Sequence, residues 1–169
     1  NIKNNIPDYK EYVVETIPKV NANIVIIMGE SLSSENMQLF GYHRKTTPRL
    51  SRLKGNHRFI YQQSISSAVS TRVSLALFYN TVYEPDNIAH IQSMDTALYR
   101  LAKQSGFNTH YITTQKNAGG LTYSFSLKDI DTWKDNSHLN HHPSHYDDRL
   151  LKELKAMNLD YSQPQFITL

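Results

Sequence analysis

Cysteine is absent from all 169 residues, which excludes a disulfide framework and any thiolate zinc site. Redox compartment stays open on that ground. No apolar run approaches the roughly 18 residues that a bilayer-crossing helix needs. No signal peptide opens the chain, and its first residue is Asn1 rather than Met. Together these features lead us to expect a piece excised from a longer protein. A concentrated basic block is missing too: 18 Lys and Arg stand against 15 Asp and Glu, for a net charge of +3. That balance suits anionic substrates or a membrane surface and leaves no nucleic-acid footprint. Internal repeats and low-complexity segments are also absent.

The composition, 39% hydrophobic and 20% charged, is that of a globular chain long enough for one domain with a core. Residues 1–22 are polar, carry Pro7 and Pro18, and read as an entry arm or linker; the domain proper runs over 23–169. Ile24-Val25-Ile26-Ile27-Met28, closed by Gly29, has the pattern of a strand buried on both faces of a parallel sheet. Ser34 to Phe40 is a short helix candidate ended by Gly41, and Pro48 suits a first helical position. Phe59-Ile60-Tyr61 reads as a strand and Ser70 to Tyr79 as a helix. Met94, Leu98 and Leu101 recur at helical spacing, predicting one helix over 93–105 capped by Gly106. Asn108 to Thr113 is the next strand, and Trp133 closes a short extended stretch. Tyr146 to Met157 is a helix with Leu150, Leu151 and Leu154 inward, and Phe166 to Leu169 begins a last strand.

Strands alternating with helices predict an α/β fold, a largely parallel sheet flanked by helices on both faces. Ligands of such sheets bind beyond the carboxyl ends of the strands, so the residues after Met28 come first. Glu30 stands there, either as a helix-capping carboxylate or as a metal ligand or general base. Gly29-Glu30-Ser31-Leu32-Ser33 nearly matches a nucleophile elbow, but Ser33 replaces the second glycine. A second feature is the hydroxyl-rich run Ser66 to Ser74, which leads into a helix with Thr71 near its start. Helix N-termini favour a phosphate or a developing alkoxide. N-capping by Ser70 or Thr71 is the structural alternative.

Asn23 to Leu32, then Leu39-Phe40-Gly41-Tyr42, then Thr46-Thr47-Pro48, resembles the opening of the catalytic domain of bacterial phosphoethanolamine transferases. These form a sulfatase-like branch of the alkaline phosphatase superfamily. Ser70-Thr71-Arg72-Val73-Ser74 is similar to that family's nucleophile motif, and the ordered motifs cover residues 23–80. A looser match continues at Tyr146-Asp147-Asp148 and Phe166 to Leu169. The resemblance implies that Thr71 is the catalytic nucleophile and that Glu30 and Thr71 are zinc ligands. It implies a phosphatidylethanolamine donor, a lipopolysaccharide or glucan acceptor, and a parent protein anchored in the bacterial inner membrane with this domain in the periplasm. Asn117, with Lys116 nearby, falls roughly at the family's substrate-phosphate asparagine, although Asn117-Ala118-Gly119-Gly120-Leu121 lacks the lysine that lipid A enzymes carry. The resemblance also places the family's Asp-His zinc pair beyond Leu169, so the isolated piece is expected to be inactive. Sulfatase, phosphodiesterase or phosphoglycerol-transferase chemistry and a non-catalytic domain of the same fold are the alternatives. Sulfatases convert a Cys or Ser within a motif containing proline and arginine, and Ser70 to Ser74 lacks the proline.

His138, His141, His142 and His145 cluster around Pro143, which breaks a helix there, and read as a solvated loop. A sheet ending in the Phe166 to Leu169 strand is expected to expose an edge and to self-associate through it.

Overall fold

The computed structural model describes residues 20–83, 86–115, 126–139 and 147–169. Two compact units result: residues 1–28 with 67–169, and residues 29–66.

The larger unit holds a four-stranded sheet of β1 (Ile24–Ile26), β2 (Asn108–Ile112), β3 (Thr132–Lys134) and β4 (Gln165–Thr168). The order is β1-β4-β2-β3, and every pairing is parallel. Ile24 pairs with Phe166, Thr109 with Phe166 on the other side, and Tyr111 with Trp133. Bonds from Met28 N–H to the Leu169 carbonyl (2.9 Å) and from Leu169 N–H to the Ile26 carbonyl (2.9 Å) lengthen the β1–β4 ladder. β4, last in sequence, lies inside the sheet and is buried at all four positions. Among the described residues the edges are therefore β1 and β3, not the Phe166–Leu169 strand.

β1 departs from its expected burial. Ile24 is 38% exposed, Val25 47% and Ile27 78%. An apolar β-branched run specifies a strand, but its burial depends on neighbours. Among the described residues β1 has one paired neighbour, β4.

Helices α2 (Thr71–Tyr79), α3 (Ile88–Ser93), α4 (Leu98–Gln104) and α5 (Asp148–Ala156) complete this unit. Its core is aromatic. Tyr79 stacks on Tyr99 at 5.8 Å, and Tyr99 meets Phe166 edge-on at 5.3 Å, with Phe107, Tyr111 and Ala102 beside them. Burial, reinforced by the neighbouring phenols, pushes the Tyr99 hydroxyl well above its ordinary pKa. These rings therefore stay neutral and pack as large hydrophobes.

The single helix expected over 93–105 is broken. Met94 takes a left-handed conformation (φ 55°), ending α3, and α4 starts at Leu98. Side-chain bonds hold the break: Thr96 Oγ1 donates to the Asn80 carbonyl, and Asp95 pairs with Arg100 at 3.3 Å. Gly106 caps α4 with φ 80°, as its position predicts. α5 is shorter than expected, and its Leu151 is 55% exposed. Leu150 and Leu154 are half-buried.

In the 29–66 unit, Ser34–Asn36 and Gln38–Phe40 form two tight 3-10 turns rather than one helix, followed by α1 (Pro48–Ser51). Thr46 Oγ1 accepts from Gln38 N–H (3.0 Å) and donates to the Asn36 carbonyl (2.7 Å). Thr47 Oγ1 accepts from Leu39 N–H at 2.9 Å. The two threonines thus satisfy backbone groups that such short turns leave open. Phe59–Tyr61 is not a strand: Phe59 stacks on Tyr61 at 5.6 Å and Ile60 is 89% exposed.

Candidate functional site

α2 places Thr71 at its first helical position. The preceding Ser70 has extended backbone (φ −109°, ψ 130°) and is the N-cap, yet its side chain makes no capping hydrogen bond. Capping by the Ser70 hydroxyl, one structural reading of this motif, is therefore not what the residue does. No acidic residue lies in the first turn. The helix is held from the other end, by burial of Ala76, Leu77 and Tyr79. Exposed Thr71 thus sits where a helix presents its positive pole, with no carboxylate in that turn to neutralise it. This setting favours an anion beside the Thr71 hydroxyl.

Glu30 belongs to the 29–66 unit and Thr71 to the other. Glu30 follows the β1 segment, is exposed, and precedes Ser31, whose φ of 53° is left-handed. Gly29 is in tight quarters: a Cβ there would stand 3.1 Å from Leu32 Cδ2. Ser33 serves a local purpose, accepting a weak bond from Glu35 N–H at 3.3 Å. The elbow-like stretch is thus a turn followed by a capped 3-10 helix.

The resemblance implies zinc. Glu30 and Thr71 offer two hard oxygen donors, short of the four that a closed zinc site uses. Among the described residues, no group of three or more His, Cys, Asp or Glu could hold a metal ion. Each of Glu30 and Thr71 is, by itself, an oxygen donor of the type a divalent cation takes, and the two lie in separate units. Lys116 and Asn117 lie outside the described residues, as do His141, His142 and His145.

The carboxyl ends of β2 and β3 carry a feature the sequence reading missed. Thr113 N–H donates to the Lys134 carbonyl at 2.9 Å, which keeps the two strands together to their ends. Immediately after β3 the chain turns through Asp135-Asn136-Ser137-His138, closed by His138 N–H donating to the Asp135 carbonyl (2.9 Å). Asp135 Oδ1 accepts from the Ser137 hydroxyl, from Ser137 N–H (2.9 Å) and from His138 Nδ1 (2.9 Å). The Ser137 hydroxyl above all, then Ser137 N–H and His138, hold the Asp135 carboxyl down to about 2 against partial burial. His138 is exposed, as a loop histidine should be, but a carboxylate fixes its ring. The Asp-x-Ser-His spacing after a strand was the available signal: Asp at a turn start takes the N–H two residues on.

A family model described as Sulfatase matches residues 22–169. Among curated proteins, the chain is 30% identical over 113 residues to "Putative transferase YhbX" of Escherichia coli K12, covering 64% of this chain and 20% of that protein. The O157:H7 counterpart matches equally. The chain therefore spans a minor part of the length of these relatives. No solved structure matches it.

Proposed function

The chain belongs to the sulfatase family, and from that premise we propose that it carries the nucleophile of a group-transfer enzyme that moves phosphoethanolamine from phosphatidylethanolamine to a glycolipid or glycan acceptor of the cell envelope. The observation that carries this reading is Thr71 at the first position of a helix whose N-cap side chain makes no capping bond. The transferase name of the Escherichia coli relatives supports it. Thr71 Oγ would attack the donor phosphorus; the new Oγ–P bond replaces the bond to diacylglycerol oxygen, which leaves with a proton. The acceptor hydroxyl would then displace Thr71, in two steps of ping-pong type. The N-terminal pole of α2 favours the phosphate charge in both steps. Zinc belongs to the proposal, with Glu30 and Thr71 as two of its ligands; when bound, such an ion lowers the pKa of a coordinated hydroxyl. Lys116 and Asn117 are proposed substrate-phosphate contacts. Membrane anchoring and a periplasmic site are likewise part of the proposal; no helix among the described residues is long and apolar enough to cross a membrane.

Sulfate-ester hydrolysis is the second reading, favoured by the family's description. The two separate by product. Transfer leaves a phosphoethanolamine adduct on Thr71, detectable by peptide mass spectrometry and lost in Thr71→Ala, whereas sulfatase chemistry hydrolyses an aryl sulfate and leaves none.

A further inference from the structure

The near-even charge balance of the whole chain hides an uneven distribution. The unit at 29–66 holds six of the 18 Lys and Arg, between Arg44 and Arg58, against two acidic residues, Glu30 and Glu35. Its balance is +4, while the rest of the chain sets 12 basic residues against 13 acidic ones, or −1. No acidic residue occurs from Asn36 to Tyr83. All six basic side chains are exposed, and none forms an ion pair with a described carboxylate. In the other unit Arg100, Lys103 and Lys134 are each paired.

Four of these cations share one short stretch with outward apolar side chains. Leu50 and Leu53 alternate with Arg49, Arg52 and Lys54 along α1 and the turns after it, and both leucines are exposed. Successive turns bring the chain round: Leu53 N–H donates to the Leu50 carbonyl (2.9 Å), Asn56 N–H to the Leu53 carbonyl (3.0 Å), and Phe59 N–H to the Asn56 carbonyl (2.9 Å). They return Lys54 to the aromatic residues that follow, with its Nζ 5.5 Å from the centre of the Tyr61 ring. Phe59 stacks on the same ring, and Phe40 tilts against it at 6.0 Å. Between Phe59 and Tyr61 stands Ile60, almost wholly exposed. Residues 49–61 therefore form one local surface of cations and aliphatic side chains.

That mixture selects its partner. A nucleic acid stacks bases on open rings, but the Tyr61 ring is already packed and the outermost side chain is aliphatic. An anionic bilayer answers both halves: lipid phosphates attract Lys and Arg, and an aliphatic side chain enters the boundary between headgroups and acyl chains. Long basic side chains also keep their charge at the headgroups while their stems lie among apolar groups.

We infer that the 49–61 surface docks peripherally on an anionic phospholipid bilayer, with Arg49, Arg52, Lys54 and Arg58 on the headgroups and Ile60 inserted. The inference does not depend on the transfer reading, because docking needs neither Thr71 nor Glu30.

Vesicle sedimentation of the 169-residue chain tests it. The chain should bind mixed phosphatidylglycerol–phosphatidylcholine vesicles, lose affinity as salt is added, and ignore pure phosphatidylcholine. The triple variant Arg49→Gln/Arg52→Gln/Lys54→Gln should bind about 10²-fold more weakly, at roughly fivefold per cation. Ile60→Ser should cost about tenfold. A second triple, Lys128→Gln/Lys152→Gln/Lys155→Gln, removes equal charge from exposed positions of the other unit and should stay within about twofold of the wild type. Equal loss in the two triples, equal binding to pure phosphatidylcholine, or no vesicle binding overturns the inference. Tighter binding to a single-stranded oligonucleotide than to vesicles, indifferent to Ile60→Ser, assigns the surface to nucleic acid and overturns it too. At the protein's natural length, acetylation of Lys54 read by mass spectrometry separates lipid from another part of the same protein. Labelling in phosphatidylcholine vesicles and protection in phosphatidylglycerol vesicles are expected. Protection in both, which puts protein over the surface, or labelling in both, contradicts the docking.

Discussion

Trp133 of β3 lies flat on Tyr111 of β2, ring centroids 4.6 Å apart and planes 16° from parallel. The two residues are also register partners in the parallel ladder. Their stacking therefore fixes how far β3 slides along β2, and with it the height at which Asp135 and His138 emerge.

Trp133→Ala should cost about 2–3 kcal/mol, less than a fully buried tryptophan because Trp133 is only partly covered. A urea titration followed by circular dichroism measures this. A loss under about 0.5 kcal/mol, the range of ordinary surface changes, would show that the stack does not hold the strand.

Acid should unfold this unit through two carboxyls on either end of β3. Partial burial works against ionising Asp131, but Lys103 at 2.7 Å and the Thr109 N–H and hydroxyl outweigh it, and its pKa lies below the ordinary value. Asp135 is held at about 2, chiefly by Ser137. Both are depressed by folding, so their stabilisation is present above an unfolded pKa of about 4 and is lost as pH falls toward 2. Asp135→Asn should flatten the fall in urea midpoint across that window. Parallel curves for wild type and variant would contradict it.

Edge strand β1 predicts self-association. Residues 23–29 contain no charge and no proline, the two devices that blunt a sheet edge, and Ile24, Val25 and Ile27 are exposed. A second copy presenting the same edge is the partner this uncharged surface fits. Light scattering on the 169-residue chain should give a mass above one copy, falling to one in Val25→Lys. A wild-type chain that scatters as a monomer at micromolar concentration rules the edge out.

The α/β class, the parallel pairing and the helix that starts at Thr71 were all legible in the sequence, because each follows from local pattern: a β-branched run, a glycine after a helix, hydroxyls before an apolar stripe. What could not be read there depends on neighbours distant in sequence. β1 looked buried because its residues are apolar, yet burial needs strands on both sides. The 93–105 helix breaks because Thr96 reaches Asn80, 16 residues back. Thr46 and Thr47, just before the helix that opens at Pro48, also bond turns eight to ten residues earlier, which no local pattern shows. His138 was grouped with its neighbouring histidines, when its partner is Asp135, three residues before it.

The central claim is that Thr71 takes the transferred group. Incubating the protein at its natural length with phosphatidylethanolamine and digesting it for mass spectrometry tests this directly. The account predicts one phosphoethanolamine-bearing peptide, modified at Thr71 and unmodified in Thr71→Ala. An adduct on another residue, or turnover with no covalent adduct under quenched single-turnover conditions, would contradict it.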